Sequence, residues 1–434
     1  MREYGRRCAP WLVALGFAGL LWAVPMLARG GEALTLAQAQ GEARAKAPEG
    51  ALFSARLKAA EELAIDARRA VRRDPSINFN VAPGELGGDT SERDIGVGLR
   101  WSVDVTGSWV PRRASAAADR DRSRYDREDA LRALDEAVAI AHAEIGFLQR
   151  QVTRADRLRE LYSLGAGAAR RQLSAGTGNQ LDLDAADLDL IQAVAIATQL
   201  GGELRRGQVR LARLLGRPAR ADLWADEPEA MPELPPAVQA EEMADRDPRV
   251  RARQAEHHAA QKERDTFRRL IWAGPTLGVD YGYRRRSIGV GAFRGPAASG
   301  LSASWTDQEL TFSITAPIPI ADRQTAGRAR VRGRIALAEA QVLVTRADVA
   351  TEVAAADADL RTAIDVLQTL APSREILERQ LQLVEVAVKA GTLDVVARAA
   401  TLRRLMEVGR RLDEAMRGYR VARARWTRQT EVPQ

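Results

Sequence analysis

Hydrophobic positions along this chain follow two periods, and the switches between them mark its parts. In four short stretches apolar residues alternate with polar or small ones, the pattern of a strand with one greasy face. In the second stretch Ile95, Val97, Leu99, Trp101, Val103 and Val105 share one face, against Gly96, Gly98, Arg100, Ser102 and Asp104. The fourth sets Leu310, Phe312, Ile314, Ala316, Ile318 and Ile320 against Thr311, Ser313 and Thr315. The first (Ile77, Phe79 and Val81 against Asn78 and Asn80) and the third (Leu277, Val279, Tyr281 and Tyr283 against Gly278, Asp280 and Gly282) agree. The spacing predicts two β-hairpins, near 76–105 and 276–320, turned by glycine-rich loops at 83–94 and 284–307.

Elsewhere the period is that of a helix. Residues 112–173 contain no proline and 323–390 contain only Pro372, so at 1.5 Å per residue each stretch would measure about 90 to 100 Å. Shorter helical stretches cover 34–72 with a break at Pro48, 181–215, 237–272 with a break at Pro248, and 393–428. Two of these placed end to end span about 105 Å, which predicts stacked short helices beside each long one. Leu131, Leu134, Val138, Ala141, Ile145 and Leu148 form one seam at three- and four-residue steps, and Ile376, Leu377, Leu381, Val384 and Val388 another. Such seams alone say coiled coil and nothing more.

The order of these elements recurs. Pro48 and Pro248 interrupt similar helical runs, and Pro75 and Pro275 open similar strands, both pairs at an offset of about 200 positions that marks an internal repeat. Gly176 in Ala175-Gly176-Thr177-Gly178 and Gly391 in Ala390-Gly391-Thr392 each separate one long helical stretch from the next. The expected organisation is a signal peptide at 1–33, a first repeat at 34–217, a proline-rich linker at 218–236 and a second repeat at 237–434. A duplicated unit implies a pseudo-symmetric wall, tube or clamp rather than a single catalytic pocket.

The expected fold class is mainly α with a small β part: a long helical coiled-coil barrel plus four strands per chain. A soluble sheet would also alternate, but no companion layer is evident in the sequence to cover the greasy face. A lipid-facing barrel wall satisfies the pattern provided every strand edge is paired. Four strands cannot close around an open channel, so several chains must share one barrel.

Composition adds export and removes several chemistries. Arg2, Arg6 and Arg7 precede an apolar stretch at 9–27 and then small residues suited to cleavage after Gly30 or Ala33, the layout of a secretory signal. Cys8, the only cysteine, lies before that stretch and would leave with it. The mature chain then has no disulfide, thiolate metal site or cysteine nucleophile. A net charge of +7 invites a polyanionic partner, yet arginines and acids alternate along the helices without forming a basic block, and no nucleic-acid partner is expected. There is no nucleophile, base and oxyanion arrangement, no phosphate-cradling glycine loop and no metal-ligand cluster in the sequence, so it reads as a non-enzyme without cofactor or resident metal.

With these features in place the chain resembles the TolC family of trimeric outer-membrane efflux ducts. The resemblance rests on the order of modest motifs: Leu34-Thr35-Leu36-Ala37-Gln38-Ala39 with Ala47-Pro48-Glu49, Leu211-Ala212-Arg213-Leu214-Leu215-Gly216 before the linker, Asp247-Pro248-Arg249-Val250 leading to Pro275-Thr276-Leu277, and both glycine tips. It implies a homotrimer in the outer membrane of a Gram-negative bacterium, with a shared twelve-stranded barrel, a periplasmic helical tunnel and a mixed equatorial belt. It also implies a periplasmic adaptor (membrane fusion protein) and an inner-membrane pump as partners. Ala316-Pro317-Ile318-Pro319-Ile320-Ala321-Asp322-Arg323, and Asp104-Val105-Thr106-Gly107-Ser108 before Arg112-Arg113, are similar to the CzcC-like branch that serves heavy-metal exporters. The histidines, only His142, His257 and His258, do not add a metal-handling composition.

Candidate sites follow. Asp182, Asp184 and Asp187 after the first tip and Asp394 after the second would form an acidic ring at a narrow entrance if three copies surround it. Helix-capping aspartates would have the same sequence, and both roles can hold together. Gly176, Gly178, Gly391 and Thr392 would form the tips where the family docks an adaptor, although tight turns alone would also require the glycines. Arg100, Asp104 and Asp280 would line the barrel lumen, while Trp101, Trp109, Tyr281 and Tyr283 are candidates for the aromatic girdles at the membrane surfaces. The adjacent pair His257-His258 diverges by about 100° on a helix and reads as surface histidines. The implied function is a passive exit duct of a tripartite efflux system. Its rivals are a periplasmic coiled-coil adaptor and a duct for secreted peptides or proteins built on the same architecture.

Overall fold

The structure, a computed structural model, describes residues 32–68, 75–86, 90–102, 106–219, 222–226, 235–236, 238–269, 276–289, 302–315, 325–390 and 395–430. The first part of the chain runs β1 (Glu32–Thr35), α1 (Leu36–Lys46), α2 (Pro48–Asp66), β2 (Ser76–Leu86), β3 (Thr90–Ser102), α3 (Trp109–Ser174), α4 (Gln180–Leu214) and β4 (Leu223–Asp226). The second runs α5 (Ala240–Arg246), α6 (Pro248–Arg269), β5 (Thr276–Gly289), β6 (Ser302–Thr315), α7 (Thr325–Leu370), α8 (Ser373–Ala390) and α9 (Val395–Thr430). The signal segment lies outside the described residues up to residue 31.

Local chemistry sets the helix boundaries. Thr35 opens α1 with a capping box: its hydroxyl accepts from the Gln38 amide at 3.3 Å, and the Gln38 side chain accepts from the Thr35 amide at 3.0 Å. Pro48 forces Ala47 into an extended conformation, so α1 stops and α2 starts with proline in its first turn. Pro248 does the same between α5 and α6, where the Asp247 carboxylate accepts from the Arg249 amide at 2.8 Å. Pro372 sits in the turn between α7 and α8, so the described part of the predicted stretch, 325–390, is two helices.

The 66 residues of α3 span about 99 Å, and α7 and α8, with 46 and 18 residues, together span about 96 Å. Shorter helices follow one another along each. Beside α3 come α2, where Arg127 reaches Ser54, then α1, where Arg44 grips Asp135 at 2.7 Å, then α4 down to the Arg170–Asp187 pair. Beside α7 come α6, where Arg334 meets Glu263, then α5, where Arg346 meets Asp245 at 2.8 Å, then α9, where Ala422 packs with Leu360 and Ile364. α6 and α9 also pack on α3, so the two long walls are joined through them.

The largest core cluster lies where α1, α3, α4 and β4 meet, around Ala43, Val138, Ile145, Leu211 and Leu223. Of the first predicted seam, Leu134, Val138, Ala141, Ile145 and Leu148 are buried and Leu131 is half-buried. The second seam needs a correction. Leu377, Leu381 and Val384 are buried against Leu158, Leu161 and Leu402, but Ile376 points outward. Neighbouring residues on a helix diverge by about 100°, so one seam cannot hold both 376 and 377. Val388 lies outside the described side chains.

Two further expectations change. The linker contains β4, which pairs in parallel with β1, Glu32 opposite Leu223 and Thr35 opposite Asp226. The loops predicted at 83–94 and 284–307 begin and end as strand: β2 and β3 pair as far as Leu86 opposite Thr90, and β5 and β6 as far as Gly289 opposite Ser302, with 87–89 and 290–301 outside the described residues.

Arg217, just beyond α4, fastens β1 to α1. Its guanidinium donates to both oxygens of Glu42 at 2.9 and 2.5 Å and to Glu32 at 2.5 Å. These hydrogen bonds, with a smaller contribution from Lys46, hold the Glu42 carboxyl at a pKa of about 2 and raise that of Arg217. Because the folded value lies below the unfolded one near 4.5, the stabilisation is full above that pH and is lost as pH falls toward about 2. With solvent screening it is worth on the order of 1–2 kcal/mol. Glu42→Gln is expected to flatten the acid limb of a plot of thermal midpoint against pH between about 4.5 and 2.

Candidate functional site

β2, β3, β5 and β6 form one antiparallel sheet in that order, so the two hairpins join through β3 and β5. Residues directly opposite in an antiparallel sheet share a face, and the register sorts the side chains without ambiguity. From the helix-attached end toward the hairpin turns, one face carries Trp101, Leu277 and Ile314, then Ile77, Leu99, Val279 and Phe312. Phe79, Val97, Tyr281 and Leu310 follow, then Val81, Ile95, Tyr283 and Gln308. Six residue steps separate Trp101 from Ile95, about 20 Å along the strand.

Almost all of this face is open in the single chain. Phe79 is 74% exposed, Phe312 72% and Ile314 75%, and the inner-strand residues Val97, Leu99 and Val279 are exposed as well. A contiguous apolar patch of this size exceeds what a soluble monomer normally leaves in water. The outer edges of β2 and β6 have no strand partner among the described residues. No described helix is long and apolar enough to cross a membrane.

The opposite face is polar and small. Asn78, Gly98, Asp280 and Thr311 share one row, Asn80, Gly96, Gly282 and Glu309 the next, and Ser76, Arg100, Gly278 and Ser313 lie on the helix side. Gly98 cannot be replaced freely, because a Cβ there would stand 1.8 Å from an Asp280 carboxylate oxygen that lies across it. Toward the turns this face carries ion pairs: Arg284 meets Asp94 and Glu92 at 3.2 Å each, and Arg286 meets Glu92 at 2.8 Å. These pairs extend the strands through segments that hydrophobic alternation does not mark.

Arg100 and Asp280 therefore lie on the polar face, and Trp101, Tyr281 and Tyr283 on the apolar one, with Trp101 at the helix end of the apolar band and Tyr283 at its turn end. Trp109 is not on the sheet; it is the first residue of α3. Asp104 lies outside the described residues.

At the far end of the helices, Gly176 terminates α3 with φ at +72°, and the Gly178 amide donates to the Gln172 carbonyl at 3.0 Å. A Cβ at Gly178 would stand 2.8 Å from the Leu173 nitrogen, so the turn requires glycine there. Asn179 caps α4 by accepting from the Leu181 amide at 3.1 Å. Asp182 lies in the first turn of α4, Asp184 accepts from Gln180 at 2.8 Å, and Asp187 pairs with Arg170 at 3.3 Å. Gly391, Thr392 and Asp394 lie outside the described residues.

Above the tip, α4 turns an apolar stripe outward through Leu181, Leu188 and Ile191, and α8 does so through Ile376, Leu383 and Val386. Of the histidines, His142 is buried with its Nε2 2.8 Å from the Leu34 carbonyl, and burial lowers its pKa. His257 neighbours Gln261 at 3.3 Å on α6, and His258 is exposed.

No protein-family model and no curated protein matches the sequence. Solved structures do match across nearly the whole chain. The outer-membrane channel OprN superposes with a TM-score of 0.68 at 21% identity, covering 91% of this chain and 89% of that one. CusC, a transmembrane channel, gives 0.70 at 16% identity over 91% and 92% of the two chains. The open state of the Neisseria gonorrhoeae outer-membrane channel MtrE gives 0.67 at 18% identity over 91% and 88%. Sheet, stacked helices and tip together give this chain the fold of the TolC-type outer-membrane channels.

Proposed function

We propose that the chain is one third of a passive exit duct in the outer membrane of a Gram-negative bacterium. Three copies would pair β6 of one with β2 of the next into a twelve-stranded barrel, and the helices would continue into a periplasmic tunnel. The carrying observation is the open apolar face on a sheet whose two edges have no strand partner among the described residues: lipid would cover the first, and sister strands would satisfy the second. The glycines and ion pairs of the opposite face suit a narrower, water-filled inside. The outward apolar stripes of α4 and α8 supply surface for neighbouring helices.

In this reading the halves at 34–217 and 237–434 are two repeats that give the wall its pseudo-symmetry, and both tips dock a periplasmic adaptor fed by an inner-membrane pump. The likeness of 316–323 to the CzcC-like branch supports heavy-metal cations as cargo. A leader removed ahead of Glu32 keeps β1 and the Arg217 clamp whole, which favours cleavage after Gly30 over cleavage after Ala33. A periplasmic adaptor, by contrast, would leave the greasy sheet face in water.

Assembly is tested directly. The mature chain holds no cysteine, so a pair introduced into one chain, one cysteine on β2 and one on β6 at opposite edges of the sheet, reports only contacts between copies. The expected outcome is detergent-dependent extraction and a cross-linked trimer; a water-soluble monomer without cross-links would overturn the reading. The acidic ring has its own test in planar bilayers. Asp182→Asn combined with Asp394→Asn is expected to lower cation preference or raise single-channel conductance severalfold, and unchanged currents would remove these residues from the gate.

A further inference from the structure

Beyond the Ile95 and Tyr283 row, the next outward position on the sheet is Arg93, directly opposite Arg285, flanked in the same row by Pro83 and Thr306. Both arginines are exposed. They share the face of the apolar band and lie on the hairpin side of it, away from the helices. Like charges directly opposite across a strand pair repel. The arginines on either side of Arg285 point to the other face and are paired, Arg284 with Asp94 and Arg286 with Glu92. Arg93 and Arg285 have no ion pair or hydrogen bond among the described residues.

We propose that Arg93 and Arg285 form a headgroup site for the phosphate of an anionic lipid in the outer leaflet. Opposed strand residues stand about 4.5–5.5 Å apart, so two guanidinium forks can converge on one phosphate and relieve their mutual repulsion. Their depth fits as well. The pair follows directly on about 20 Å of apolar wall, where acyl chains give way to headgroups. Arginine suits this place because its planar fork bonds phosphate bidentately and loses less hydration than an ammonium would. The site rests on the duct reading, which sets this face toward lipid and the hairpin turns outward, and it would occur once per copy around the rim.

The test uses the full mature chain in neutral detergent, with phosphatidylglycerol, phosphatidylcholine or inorganic phosphate added, and retained lipid counted by native mass spectrometry. The parent protein is expected to retain phosphatidylglycerol in preference to phosphatidylcholine. Arg93→Gln with Arg285→Gln should weaken that retention about tenfold or more while the oligomer stays intact. Arg93→Lys with Arg285→Lys should keep part of it, because the charge remains and the fork does not.

Equal retention by the glutamine variant would overturn the site while leaving the duct standing. Inorganic phosphate displacing the lipid at equal concentration would overturn the lipid assignment in favour of a free anion. A chain that needs no detergent would sink both proposals, and that outcome is read before any lipid is added.

Discussion

Leu310→Arg is expected to abolish membrane insertion, while Thr311→Arg, one residue along the same strand, is expected to insert and conduct. Leu310 shares its row with Phe79, Val97 and Tyr281 near the middle of the apolar band, whereas Thr311 shares its row with Asn78, Gly98 and Asp280 on the polar face. An arginine at mid-depth on a lipid-facing strand costs about 2–4 kcal/mol, so three copies in one barrel cost about 6–12 kcal/mol. That is comparable with the whole stability of a typical domain, about 5–15 kcal/mol. On the polar face, the inner one in the proposed barrel, the same side chain would meet water and acidic neighbours, including Asp280 and Glu309. Membrane fractionation and heat-resistant oligomer bands read the difference. Were the sheet solvated on both faces, Leu310→Arg would be harmless or would improve solubility, and the membrane assignment would fall.

Asp413→Ala is expected to destabilise the helical body by about 3–5 kcal/mol. Asp413 on α9 is 2% exposed. Gln151 donates to it at 2.7 Å, Arg154 donates to the same oxygen, and Arg150 lies 3.3 Å from the other. Removing the carboxylate leaves two α3 guanidiniums at a buried helix contact without their counter-charge, and the loss exceeds the net value of the ion pairs themselves. Asp413→Asn keeps an acceptor but not the charge, so it should fall between. Replacing Asp413 and Arg154 together by leucine and methionine should recover part of the loss. Denaturation midpoints of the detergent-solubilised protein order these variants. Equal midpoints for Asp413→Ala and the parent would show that the α3–α9 contact does not depend on this network.

Much of this architecture is legible in the sequence because long helices and strands with one apolar face both write strong periodic patterns. The stretch predicted at 112–173 is the helix Trp109–Ser174, and prolines 48, 248 and 372 each coincide with a break. Illegible parts are those held by something other than hydrophobic period. The strands run past Asp94 and Arg284 because cross-strand ion pairs involving Glu92 and Arg286 carry them, and such pairs look like loop polarity when read in line. That is also why Arg93 and Arg285 are absent from the candidates: they lie in segments the alternation predicts as turns. β1 and β4 are four residues each and meet across about 190 positions, too short for a period and too distant for a local signal. The polar and apolar faces could be assigned residue by residue from alternation alone, but the row-by-row alignment across strands needs the register.

The two sheet edges left unpaired among the described residues also bear on how such a chain would reach a membrane. Until β2 and β6 are matched, each copy presents free amides and carbonyls beside a greasy surface, a template for open-ended strand addition as well as for closure. Crowded copies short of lipid would therefore be drawn into fibrous or amorphous aggregates. Refolding yield should fall with chain concentration and rise with micelles, and in the proposed duct a cell would have reason to escort the chain through the periplasm until the barrel closes.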